Sequence, residues 1–317
     1  MKEILLSKGL VVAVILLFLG TCINPTVAND SIEQSSISTS KGQTLYVGGS
    51  GEGNYTMIQE AIENASDEDT VFVYDYSSPY YENIVMDKSI NLIGENRDTT
   101  IIDSKGENSV VQISKGNANI FNFSLRNSSM IYSEIAGITI TSNKNIIENC
   151  NIYSNKNGIF LGYNTKENII NFCKIFSNRG YGIKSEWSDK NIVQNCFISN
   201  NTIGIDLTIS EKWTISNNEF IKNGIGFSGY VFTNVPEVRF NPFNHTIENN
   251  TVNGKPMLHF KNQNNIYLEG TTAGQIIIVN CSNVEIKNLT ISDTNTPIIN
   301  AFGEDIQITN CTLFSKN

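Results

Sequence analysis

From about residue 136 the chain alternates short apolar segments with polar turns, and the alternation keeps one phase. Cys150, Cys173 and Cys196 stand 23 residues apart in the segments ENCNIYSN, NFCKIFSN and QNCFISNN, and Asn218 in NNEFIKN takes the next slot, 22 residues on. Five residues after these positions come Asn155, Asn178, Asn201 and Asn223; five before come Asn145, Asn168 and Asn191, with Trp213 in the fourth place. Gly-Ile recurs at 137–138, 158–159, 182–183, 204–205 and 224–225. A period near 22 without helical spacing predicts a β-solenoid in which each repeat is one coil.

Three corners per coil leave room for strands of only four or five residues, and coils stack at about 4.8 Å. Equivalent side chains then lie over one another, Ile on Ile inside and Asn on Asn at the bends. A stacked amide can donate to one neighbour and accept from the other, which satisfies polar groups where strand pairing is broken. Cys150, Cys173, Cys196, Asn155, Asn178, Asn201 and Asn223 are thus expected to be a structural ladder. The fold class expected is all-β: a single-stranded right-handed parallel β-helix with a short N-terminal capping helix. About ten coils would make a rod of roughly 45–50 Å.

The helix is read at 56–65, where Ile58, Ala61, Ile62 and Ala65 share one face and Thr56 with Gln59 forms a capping box. Short strands follow at 71–74, 84–86, 90–93, 100–102 and 110–113. Residues 44–115 therefore form the cap and first coils, and 136–227 the regular repeats. Residues 228–246, with two prolines and several aromatics, form a loop excursion, and 247–317 the last coils. The C-terminal coil reads as an uncovered edge, a place for a partner or a further domain.

Composition sharpens this picture. There are 45 Asn and 45 Ile in 317 residues, and both disfavour helix interiors. Net charge is −9, which gives a phosphate-binding surface no support and excludes nucleic acid as a partner. Residues 1–28 read as a signal peptide: Lys2 and Lys8 precede an apolar run from Leu10 to Leu19, too short to span a bilayer, and Thr26-Val27-Ala28 supplies the small residues before cleavage. The other reading is a lipobox, Leu19-Gly20-Thr21-Cys22, which Thr21 fits poorly. Residues 29–43 are a polar linker, and the remainder is one β-helix domain, secreted or surface-held, with no membrane span after cleavage.

The segments YTMIQEAIENASDEDTVFVY and YYENIVMDKSINLIGENRDTTIID resemble the opening coils of right-handed β-helix proteins, a group that includes pectin methylesterases and NosD-type proteins. NNTVNGKPMLHFKNQ and AGQIIIVNCSNVEIKNLTIS look like the NosD-type repeat region, often described as a carbohydrate-binding and sugar-hydrolysis domain and common among archaeal surface proteins. The resemblance spans residues 44–317. It implies a polysaccharide or other cell-envelope component as partner. The esterases' two aspartates, arginine and glutamines have no counterpart in the expected region. Pectate-lyase relatives need acids clustered around Ca²⁺ and a basic proton abstractor. The nearest set here is Lys184, Glu186, Asp189, Asp206 and Glu211, with Lys184 and Asp206 in the same slot of consecutive coils. They are either catalytic candidates or an ordinary surface ion pair worth about 0–1 kcal/mol.

Tyr163 and Trp187 share a slot of adjacent coils, with Trp213 expected near that edge. Flat aromatics suit the apolar face of a pyranose, so these three are the candidate ligand contacts, a corner stack over the coil's own core being the alternative. Two His, at 245 and 259, and scattered Met form no metal motif. No cofactor is expected, except Ca²⁺ if the chain is a lyase. Stacked cysteines with parallel Cβ vectors fit a disulfide poorly, so buried free thiols are expected. Asn-x-Ser/Thr occurs eleven times, and Asn54, Asn64 and Asn244 are the surface candidates for glycosylation. The favoured function is non-catalytic binding of polysaccharide; a lyase or hydrolase and an adhesin-like spacer are the alternatives.

Overall fold

The computed structural model describes residues 42–228 and 243–315; the expected signal peptide, most of the expected linker and most of the expected loop excursion lie outside the described residues. The described chain is a right-handed parallel β-helix. Three sheets form its walls. Sheet A has nine strands, from Thr44–Val47 to Thr246–Glu248; sheet C has seven, from Ile84–Met86 to Ile225–Ser228; sheet B has ten, beginning at Ile101–Asp103.

Most strands of sheets A and B are three residues long, so only the central one points inward. In sheet A, Ile120, Ile147, Ile170, Val193, Ile215 and Ile247 lie in one column; in sheet B, Leu125, Ile152, Ile175, Ile198, Phe220 and Val252 form another. Each such side chain taken from water contributes about 1.5–3 kcal/mol. The step from Ile215 to Ile247 spans more residues than the others, because the strand Ile225–Ser228 ends sheet C and sheet A resumes only at Thr246.

The bends are held by side-chain amides. Asn178 Oδ1 accepts the Asn155 N–H at 3.1 Å, and Asn201 Oδ1 accepts both the N–H and Nδ2 of Asn178 at 3.0 Å. Asn223 ends that column, and a second runs through Asn145, Asn168 and Asn191. Below the thiols, Asn218 Oδ1 takes the Cys196 N–H at 2.9 Å and passes the pattern to Asn250. Cys150, Cys173 and Cys196 are buried and unbridged.

Helix α1 (Ile58–Asn64) packs Ile58, Ala61 and Ile62 into the first coils. The expected capping box does not form. Met57 is the N-cap, and the Glu82 carboxylate takes the Ile58 and Gln59 N–H groups at 2.9 Å each. Gln59 is instead drawn to Val85, whose N–H it accepts at 2.8 Å. A carboxylate from the neighbouring coil satisfies two orphan donors and the helix dipole together, which a Thr hydroxyl does less well. At the other end Lys88 Nζ donates to the carbonyls of Ile62, Glu63 and Ala65.

Residues beyond Asn253–Gly254 do not extend the same coil. Both residues have positive φ, 52° and 73°, and the strand Lys255–Lys261 pairs antiparallel with Thr251–Val252. The strands Gln275–Val279 and Ile298–Ala301 then follow it in parallel, so sheet B continues with its direction reversed. In Gln275–Val279 all five residues are buried, because both faces are covered: Ile277 and Val279 join the first core, Ile276 and Ile278 a second one with Val284, Ile286 and Ile291. Strand direction and interior face change together, which preserves the right-handed sense of winding. The side-chain amide of Gln275 bonds the N–H and carbonyl of Ile225 at 2.9 and 2.7 Å and closes the end of sheet C.

Candidate functional site

Sheet C presents a polar outer face. Register places Thr139, Phe160, Lys184, Asp206 and Gly226 in one outward column, with Glu186, Thr208 and Ser228 in the next. Lys184 and Asp206 are thus direct neighbours. Their charges are not paired. Lys184 Nζ lies 2.5 Å from Glu186 Oε1 and within 6 Å of the Tyr181 and Phe160 rings, at 5.6 and 5.7 Å. Asp206, only 1% exposed, accepts hydrogen bonds from Thr208 Oγ1 at 2.9 Å and Ser228 Oγ at 2.7 Å. The loop before the strand Ala136–Ile140 brings up Glu134. Its carboxyl is held below the usual range, first by the Ser133 hydroxyl at 2.7 Å and its own backbone N–H, with the Lys184 charge adding to them.

The face therefore offers an ammonium over two rings, flanked by carboxylates. That is a set of donors and acceptors for hydroxyl groups. Asp189 lies apart, in the turn that leads to sheet A, where its Oδ1 takes the Glu211 N–H at 2.8 Å. Among the described residues no group of three or more His, Cys, Asp or Glu could hold a metal ion. Lys184 and Glu186 pair with each other, Asp189 bonds the Glu211 backbone, and Asp206 bonds two hydroxyls.

Tyr163 and Trp187 meet at the edge of this face. Their ring centroids are 6.1 Å apart at 55°, and both side chains are exposed, 68% and 48%. The backbone ties the two turns together through Asn164 N–H to the Trp187 carbonyl at 2.9 Å. Beside them lies a cleft of about 430 Å³ lined by Asn143, Asn164, Thr165, Lys166 and Asp189. Trp187 sits at φ 54°, a conformation that bulky residues seldom adopt.

Trp213 is elsewhere. It is fully buried, its Nε1 donates to the Ser188 carbonyl at 2.6 Å, and His245 Nδ1 accepts its backbone N–H at 3.2 Å. It occupies the inward slot that Asn145, Asn168 and Asn191 fill in earlier coils, so the expectation of a surface contact is corrected.

Residues 88–243 match the family described as "Right handed beta helix region". Among solved structures the chain is similar to the pectate lyase Pel9A, at 14% identity over 80% of this chain and 70% of that one, with a TM-score of 0.50. It is also similar to the pectin methylesterase of Aspergillus niger (14% identity, 67% and 86% covered, TM-score 0.43). A third is the alginate lyase of Paenibacillus sp. str. FPU-7 (14% identity, 86% and 98% covered, TM-score 0.41). The likeness to Pel9A is one of fold. No curated protein matches the chain in sequence.

Proposed function

We propose that this chain is an exported β-helix protein that binds a polysaccharide, or a polymer of the cell envelope, without cleaving it. The observation that carries the reading is the Tyr163–Trp187 pair, two exposed rings on adjacent coils beside a polar cleft. An aromatic face takes the C–H side of a sugar while neighbouring amides and charges take its hydroxyls. Lys184, Glu186 and Glu134 extend that polar surface along sheet C. The carboxylate of Asp206 is committed to two hydroxyls, which speaks against its acting as an acid or base in a lyase or hydrolase. Export rests on residues 1–28, and NosD-type kinship on the segments that resemble that group.

The test is retention of the protein on a panel of uronic-acid and cell-wall polysaccharides, with and without Ca²⁺, while released reducing ends and unsaturated sugars are recorded. Retention without release, weakened in Trp187→Ala, is the expected result. Release that disappears in Asp206→Ala would make the protein an enzyme instead.

A further inference from the structure

In six consecutive coils the turn from sheet A to sheet B carries one left-handed residue. In five coils it is asparagine: Asn122, Asn149, Asn195, Asn217 and Asn249, with φ between 52° and 64°. In the sixth it is Phe172, at φ 51°. Asparagine enters this region readily because its short side chain can bond nearby backbone; a phenylalanine pays the full steric cost. Phe172 also interrupts an outer amide ladder, since Asn149 Nδ2 donates to Asn122 Oδ1 at 2.8 Å whereas Asn195 must turn to Asn171 at 3.0 Å. Its ring is 53% exposed. The substitution thus costs backbone energy, loses an amide contact and leaves apolar surface in water. A strained, half-exposed aromatic at this position points to a role on the surface.

The ring borders a cleft of about 630 Å³. Ile93 and Phe121 supply the rest of its apolar floor, and Arg97, Glu148 and Asn149 its polar rim. Arg97 reaches the cleft from two coils away and is held by Nη1 to Asn149 Oδ1 at 2.7 Å. Its Nε is buried and makes no hydrogen bond; Asp98 Oδ1, its ion-pair partner, stands 3.7 Å off. Glu148 receives Asn171 Nδ2 at 3.1 Å through one oxygen.

We propose that this cleft is a second carbohydrate site, which takes one neutral pyranose unit of a polysaccharide. Phe172 stacks on the apolar face of the sugar, the Arg97 guanidinium at the rim donates to a ring hydroxyl, and Glu148 accepts from another. The charge of Arg97 is already balanced by Asp98, and Glu148 repels a carboxylate, so a uronate is disfavoured. The site lies at the corner of sheets A and B, whereas Tyr163 and Trp187 lie on the turn between sheets C and A. The two can therefore be tested separately.

The experiment is native affinity electrophoresis of the Trp187→Ala protein through gels containing a soluble neutral β-glucan or polygalacturonate. Retardation by the glucan is expected. Phe172→Asn in that background should weaken it about tenfold while the melting temperature stays level or rises, because asparagine suits the turn. If Phe172→Asn lowers the melting temperature, Arg97→Lys carries the same test. Unchanged retardation in the variants overturns the proposal, as does retardation by polygalacturonate alone or by neither polymer. Failure of the Trp187 site would appear in the first panel of polysaccharides and leave this result intact.

Discussion

Val252 and Lys255 pair across Asn253–Gly254, and at that pair the strands of sheet B change direction. Before it, inward residues of the sheet face one core; after it, alternate residues face two. The two-residue turn lets the chain double back on the open end of its own coil. Gly254 has φ 73°, and a Cβ there would meet no atom within 4 Å. Its requirement is conformational and owes nothing to space. Gly254→Ala should therefore destabilise the protein by about 1 kcal/mol, the cost of a left-handed alanine, measured by denaturant titration.

The two tryptophans should separate cleanly. Trp213→Ala removes a fully buried ring and should cost about 3–5 kcal/mol. Trp187→Ala should stay within about 0.5 kcal/mol of the parent and affect only ligand retention. Acrylamide should quench the fluorescence of a Trp213-only protein far less than that of a Trp187-only protein.

Asn178 joins three coils: its Oδ1 accepts from Asn155, and its Nδ2 donates to the Ile152 carbonyl at 3.1 Å and to Asn201. Asn178→Ala leaves a buried N–H without an acceptor and should cost about 2–4 kcal/mol. Thermal unfolding would show the loss, and amide exchange should rise at Asn155 before it rises in sheet A.

His259 faces the junction between the two stacks. Burial lowers its imidazole below the ordinary range; a bond to the Ile247 backbone opposes that, and the Lys261 charge adds to it. The unfolded chain takes up this proton near pH 6.5, at about the value of a free imidazole, while the folded protein resists it. Between that pH and the lower folded value the unfolded state holds more protons, so stability falls as pH drops. His259→Gln should flatten the stability profile below about pH 6.5, and an unchanged profile would show that another group governs it.

The cysteine and asparagine phase at 150, 173 and 196 was enough to read a coil, its period and its amide ladder, because stacking forces equivalent residues into identical surroundings. The same logic made Tyr163 and Trp187 legible as neighbours. It placed Lys184 beside Asp206 but could not show that the lysine turns to Glu186, since register fixes Cα positions and leaves long side chains free to choose. Trp213 was misread for a related reason: an aromatic in an asparagine column looks exposed until the column is known to be internal. The reversal at Asn253–Gly254 was also within reach, because Asn-Gly between two strand-forming segments is a strong short hairpin signal. Phe172 could have been found as the break in an outer asparagine column.

What the sequence determined alone is whatever repeats: strand length, inward slots, ladder and winding follow from local spacing applied many times. What only the tertiary structure decided is whatever happens once. Arg97 meets Asn149 across 52 residues, Glu82 takes over the helix cap from the adjacent coil, and Gln275 closes sheet C from 50 residues away. Contacts made once leave no period to read, and they arise only when the coils are already stacked.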